Sequence, residues 1–146
     1  MKQIADIIED QVLTVIDPSL TVRNAAQKMV EKNIGAVAVV EAGKLAGIFS
    51  ERDLMARVVA KGLDPDGTKV FDVMSKDLVI AEPTDALDDA LEKMYSIHAR
   101  HLPVVDNGKL VGMVSIRDLL EVDDAQQRAK AKFLRELVTY SPDYDS

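Results

Sequence analysis

Two hydrophobic rhythms alternate along this chain, and the whole alternation occurs twice. Short, largely apolar runs at residues 12–16 and 78–80 predict strands, each followed by a proline-containing turn. Val22, Ala25, Ala26, Met29 and Val30 then fall at i, i+3, i+4, i+7 and i+8, the stripe of a helix with one buried face. Leu87, Ala90, Leu91, Met94 and Tyr95 repeat that stripe in register, and Thr21 and Asp85 stand where N-caps are expected. Runs at 36–40 and 102–105 are apolar throughout, as buried strands are. The links at 41–44 and 106–109 predict tight turns, and Asn107-Gly108 is a strong hairpin signal. Third strands are predicted at 45–50 and 110–115, with second helices beginning near Glu51 and Ile116.

Each half therefore reads β-α-β-β-α. Residues 18–55 return without a gap as 83–120, offset by 65 positions, with Gly47, Ser50, Arg52, Asp53 and Leu54 matched by Gly112, Ser115, Arg117, Asp118 and Leu119. Two copies are too few for a solenoid, so the expectation is an α+β fold of two units packed sheet to sheet about a pseudo-twofold axis. The expected domains are 1–65, the first unit with a leading helix carrying Ile4, Ile7 and Ile8; 66–122, the second unit entered through a short helix near Val70; and 123–146, a charged C-terminal helix and tail with Ala125, Ala129, Phe133 and Leu137 at helical spacing.

Composition narrows the function. Of the 146 residues, 47% are hydrophobic and 29% charged, a globular balance. No apolar run approaches the roughly 18 residues that span a bilayer, and Asp6 interrupts what a signal peptide would keep apolar, so a cytoplasmic, membrane-free protein is expected. With no cysteine there is neither a disulfide nor a thiolate-bound metal. A net charge of −7 argues against nucleic acid as the main partner, because phosphate-backbone affinity is built from Lys and Arg; the absence of Trp removes the strongest base-stacking platform. A small anionic ligand in a local basic pocket is still compatible with that charge.

The chemistry concentrates where each third strand meets its helix, at Gly47-Ile48-Phe49-Ser50-Glu51-Arg52-Asp53 and Gly112-Met113-Val114-Ser115-Ile116-Arg117-Asp118. A helix start offers unpaired N–H groups to an anion, a serine hydroxyl adds a hydrogen bond, and a carboxylate one turn on can accept both hydroxyls of a ribose. Ser-x-x-Asp is equally a capping box that holds the helix start together, and the two roles are compatible. Arg52 and Arg117 oppose the helix dipole, which suggests a compensating anion; retention from a duplicated ancestor explains them as well.

A tandem of such units, each ending in Gly-apolar-x-Ser-x-x-Asp, resembles a pair of CBS (cystathionine β-synthase) domains, a Bateman module, of the stand-alone two-CBS kind. Met74 and the segment Leu102-Pro103-Val104-Val105-Asp106 match that pattern too. The resemblance implies a regulatory module that binds adenosine-containing ligands, AMP first, with ADP, ATP, NAD(H) and S-adenosylmethionine also in the class. It would act as an energy or redox-state sensor for a partner protein that the sequence does not name. It implies clefts between the two copies. One would combine Val15, Ile16, Ser50, Arg52 and Asp53 with Arg100, His101 and Pro103. The other would combine Ile80, Ala81, Ser115, Arg117 and Asp118 with Gly35, Ala36 and Val37. Asp53 and Asp118 would hold ribose, the serines and arginines phosphate, and the strand residues adenine. Because Gly35-Ala36 in one copy stands against Arg100-His101 in the other, the sites are expected to bind unequally, the Asp53 site taking the more anionic ligand. A homodimer is also implied.

Other classes fit less well. Ser115, His98 or His101, and Asp118 lack a nucleophile elbow, and the first copy has no histidine, so neither catalysis nor a histidine metal site is expected. The main rival is a dimerisation or interaction module that binds no ligand.

Overall fold

The computed structural model describes residues 2–121, 131 and 134–137. Their order is α1 (Ile4–Ile8), β1 (Val15–Ile16), α2 (Val22–Lys32), β2 (Ala36–Glu41), β3 (Lys44–Ser50), α3 (Glu51–Asp53) running on as a π-helical segment (Leu54–Val59), α4 (Val70–Val73), α5 (Leu87–Ile97), β4 (His101–Asp106), β5 (Lys109–Ser115) and α6 (Ile116–Glu121). The fold is α+β, with the predicted strand–helix rhythm complete in the first copy and lacking its opening strand in the second.

In the first copy the expected three strands form. β1 runs parallel to β2 through Val15↔Ala38 and Ile16↔Val39, and β2 pairs antiparallel with β3 from Ala36↔Ser50 to Glu41↔Lys44. The α2 stripe closes on this sheet through Val22, Ala25 and Met29, which are buried with Val37, Val39 and a fully enclosed Phe49, whereas Val30, expected on the same face, is 81% exposed. In the second copy the strand expected at 78–80 is reduced to one parallel bridge, Ala81↔Val104, carried by Ala81 N–H to Pro103 O (2.9 Å) and Val105 N–H to Ala81 O (2.9 Å). The reason lies in Pro103: it occupies the place of Ala38, and without an N–H it cannot supply the next rung of a parallel ladder.

Two smaller expectations also change. Thr21 does cap α2, accepting the Asn24 N–H at 3.2 Å, whereas α5 starts after Ala86 with no side-chain cap. Asp85 instead accepts the Glu82 N–H (2.9 Å) and pairs with Lys93 (3.0 Å). Burial raises the Asp85 pKa, but the Glu82 amide and the Lys93 ammonium outweigh it, so the carboxyl titrates below its usual value. Both helices end on a left-handed residue, Asn33 and His98, each at φ 55°; His98 is thus a helix terminator exposed to solvent.

The packing groups the chain into two compact units that are out of step with the repeat. One comprises Val12–Leu78 with Asn107–Leu110; the other joins the leading residues through Gln11 to Val79–Asp106 and to the chain from Val111 onward. The leading helix α1 therefore serves the second copy, and α4 serves the first. Their contacts are the same. Val70 N–H bonds Leu20 O (2.9 Å) and Phe71 N–H bonds Pro18 O (3.0 Å); Ile4 N–H bonds Asp85 O (2.9 Å) and Ala5 N–H bonds Pro83 O (2.8 Å). The boundary expected at residue 65 separates the first copy from the helix that completes it.

Of the expected tail, residues 122–130, 132–133 and 138–146, including Ala125, Ala129 and Phe133, lie outside the described residues. Residues 134–137 are helical, and Leu137 is buried in the second copy's core beside α1 and α5 residues.

Candidate functional site

The two strand–helix junctions are built alike. Ser50 leaves β3 in extended conformation and caps α3: its Oγ accepts the Asp53 N–H at 3.1 Å, and Asp53 Oδ2 accepts the Ser50 N–H at 2.9 Å. Ser115 and Asp118 repeat both bonds, at 3.1 and 2.9 Å. The capping box expected from Ser-x-x-Asp is thus formed twice. A further helix-start amide is also engaged in each copy, Glu51 N–H by Gly35 O (2.9 Å) and Ile116 N–H by Arg100 O (3.0 Å). The anion-binding capacity of these helix starts is correspondingly narrower than a bare terminus would offer.

The glycine that opens each motif has a steric role that spacing alone did not show. A β-carbon on Gly47 would lie 2.7 Å from both Met74 Sδ and Ser75 O, and one on Gly112 would lie 2.7 Å from Ile8 Cγ2. These glycines let the segment after α4, or the end of α1, cross directly over the third strand. The crossing is pinned at equivalent positions. Ser75 exchanges backbone bonds with Ile48 (3.0 and 2.8 Å), while the Gln11 side-chain amide does the same to Met113 (2.6 and 2.8 Å), standing in for a peptide group. A glutamine ahead of a strand carries no sequence signal for this.

The remaining expected residues sort by unit. Val15 and Ile16 on β1, Gly35 just before β2, Ala36 and Val37 on β2, and Ser50, Arg52 and Asp53 all belong to the first copy's unit; Ile16, Ala36, Val37 and Asp53 are buried and Arg52 is exposed. Ile80, Ala81, Arg100, His101, Pro103, Ser115, Arg117 and Asp118 belong to the other, where Ala81 and Pro103 are buried and Arg100 and Arg117 exposed. Within its unit Gly35-Ala36 adjoins Ser50-Glu51, and Arg100-His101 adjoins Ser115-Ile116. Ile80 O accepts a bond from Lys93 Nζ at 3.0 Å.

The junctions differ in what else surrounds them. The Glu51 carboxylate lies 3.4–3.5 Å from where a Gly35 β-carbon would be, ordinary van der Waals contact; the second copy has Ile116 and Arg100 in these places. Asp53 Oδ1 also accepts from Ser75 Oγ at 3.2 Å and faces Arg57 Nε at 3.8 Å, leaving its side chain 10% exposed. Arg57 in turn donates to Val73 O (3.1 Å) and Met74 O (3.0 Å). Among the described residues Asp118 has its capping-box bonds only, and it is less buried. After Asp53 the helix widens into π geometry, with Ala60 N–H bonded to Met55 O and Leu63 N–H to Val58 O, whereas α6 is α-helical. Neither Arg57 nor Ser75 falls within the repeat or the motif, and sequence reading passed over both.

Among the described residues no cluster of His, Asp and Glu could hold a metal ion, and no helix is long and apolar enough to cross a membrane.

Comparison with known proteins gives one consistent pattern. A family profile, the CBS domain, matches residues 4–60 and again 70–124. The CBS domain-containing protein YhcV of Bacillus subtilis is 41% identical over 119 residues, 82% of this chain and 84% of that protein. Some other curated relatives are only about half covered, 55% and 51% of two of them. A signal-transduction protein with CBS domains from Burkholderia ambifaria superposes with a TM-score of 0.80 at 33% identity, covering 86% of this chain and 96% of that one. A CBS domain protein of Pyrobaculum aerophilum, solved in complex with AMP, superposes with a TM-score of 0.76 at 27% identity over 94% of this chain and 99% of its own.

Proposed function

Because this chain belongs to the CBS domain family, with two copies spanning most of its length, we propose that it is a non-catalytic regulatory module whose Ser-x-x-Asp junctions bind an adenosine nucleotide, AMP first. The observation that carries the reading is the duplicated junction: Ser50 with Asp53 and Ser115 with Asp118 share hydrogen-bond lengths of 2.9 and 3.1 Å. A carboxylate fixed by its own helix start is oriented before any ligand arrives, which lowers the ordering cost of taking a ribose diol. Arg52 and Arg117 are exposed in the first turn, and in this reading they meet the phosphate. The AMP complex of the P. aerophilum relative supports the ligand class.

Binding is unequal in this proposal. Arg100 and His101 have only Gly35 and Ala36 as counterparts, so one site carries more positive charge than the other. A nucleotide that prefers one arrangement of the module shifts its population by the difference in affinity, and this is the signal a partner protein would read. Self-association belongs to the same reading. Met55, Val59 and Leu63 recur every fourth residue on and after the π-helical segment and are 59%, 65% and 42% exposed, an apolar stripe suited to a second copy.

Thermal denaturation tests the ligand reading. A nucleotide at about 100 times its Kd stabilises the folded state by about 2.7 kcal/mol. AMP is expected to raise Tm, and Asp118→Asn to reduce the rise. No shift with AMP, ADP, ATP, NAD or S-adenosylmethionine at millimolar concentration would favour an interaction module that binds no ligand.

A further inference from the structure

We propose that Ser75 and Arg57 are positioning residues that latch the segment after α4 onto Asp53, so that a ligand taking the Asp53 carboxylate loosens the hold on that segment. The inference rests on the nucleotide reading above, and it assigns that reading a moving part. Five contacts carry it. Asp53 Oδ2 is held by Ser50 N–H, Asp53 Oδ1 accepts from Ser75 Oγ, Arg57 Nε faces the same oxygen, and Arg57 Nη1 donates to Val73 O and Met74 O. The carboxylate is thereby tied to three consecutive residues, 73 to 75, and both its oxygens are engaged.

A ribose diol needs two acceptor positions on one carboxylate, and a side chain 10% exposed does not present them. The capping box is local to the helix start and stays. What can yield is the Ser75 hydroxyl at 3.2 Å and the Arg57 contact at 3.8 Å, the longest of the set. Their loss leaves the crossing held by the Ile48–Ser75 backbone pair and by Arg57 to the two carbonyls. Among the described residues Asp118 has no such partners: the chain crossing β5 there is pinned by the Gln11 amide, with no bond to the acid. Among the described residues the latch therefore belongs to the first copy, and it makes occupancy of that copy's acid costlier and mechanically consequential.

Hydrogen exchange at the Met74 and Ser75 amides, with AMP titrated calorimetrically, tests this on the full chain. Without nucleotide, Ser75→Ala and Arg57→Ala should each speed exchange at these amides, Ser75→Thr should restore the wild-type rate, and Ser115→Ala in the other copy should leave it unchanged. With AMP bound, the wild-type amides should exchange faster, and Ser75→Ala should tighten one binding step about three- to tenfold, the equivalent of one net hydrogen bond, while the other step stays as it was. Binding of AMP with unchanged or slower exchange at 74–75 overturns the latch and leaves the nucleotide reading standing. AMP binding to Ser75→Ala but not to the wild type supports the latch as a gate. No AMP binding to either protein overturns both.

Discussion

Copy one and copy two end their third strands with the same four-residue device, yet among the described residues only the acid of copy one is bonded beyond that device. Asp53 is buried, bonded to Ser50 and Ser75 and faced by Arg57, and its helix continues in π geometry; Asp118 carries the capping box alone among the described residues, at the head of an α-helix. The family resemblance fixes the shared part. The differing part comes from residues outside the repeat, so a duplicated scaffold has acquired two unlike sites without altering the motif itself.

The sharpest way to break the comparison is at the glycines. Gly47→Ala drives a methyl against Met74 and the Ser75 carbonyl, a backbone atom already locked to Ile48, whereas Gly112→Ala meets the Ile8 side chain. Overpacking of this kind costs about 1–3 kcal/mol, and Gly47→Ala should lie at the upper end and Gly112→Ala at the lower. Urea unfolding of the two variants checks this; equal losses would mean the two crossings are equally rigid.

The hairpin turns give a smaller contrast of opposite sign. Ala42 at φ 52° and Asn107 at φ 51° occupy the same left-handed position. A β-carbon there costs roughly 1–2 kcal/mol, partly relieved for Asn. Ala42→Asn should stabilise the protein by up to about 1 kcal/mol, and Asn107→Ala should destabilise it by a similar amount, read as opposite shifts in denaturation midpoint.

The smallest effect is the pH dependence of copy two. Asp85 stands where copy one has Leu20. Burial opposes its ionisation, but the Glu82 amide and Lys93 prevail, so its folded-state pKa is below the unfolded one. The stabilisation it supplies is present above the unfolded value and is lost as pH falls through the lowered folded value. Asp85→Asn should therefore lose under about 1 kcal/mol at neutral pH, since the pair is partly solvated, and should match the wild type under strongly acidic conditions. A difference that persists unchanged into acid would assign the loss to the hydrogen bond from Glu82 and not to charge.

Much of this was legible in the sequence. The stripes at 22–30 and 87–95 became α2 and α5, and the Ser-x-x-Asp spacing announced the capping boxes, because local periodicity and short-range caps are properties of neighbouring residues. The strand expected at 78–80 failed for a reason also written in the sequence, Pro103, but readable only once the pairing register is known. The assignment of α1 to copy two could not be read at all. Its stripe of isoleucines says that a face is buried and is silent about which surface buries it. Arg57 and Ser75 were missed likewise: their meaning comes from contacts to residues 73–74 and to Asp53 across 16 to 22 positions of chain.

The exchange of leading helices has a consequence for how the protein is made. The first copy has almost everything it needs in one continuous stretch ending at Leu78, so it can close as soon as that stretch leaves the ribosome. The second must recover α1, which is synthesised before the whole of the first copy, and its Gln11–Met113 clasp spans 102 residues. Long-range closure of that kind is slow to form. During synthesis the apolar face of Ile4, Ile7 and Ile8 waits for a partner not yet translated, so that α1 leaves the ribosome before the first copy but docks after it.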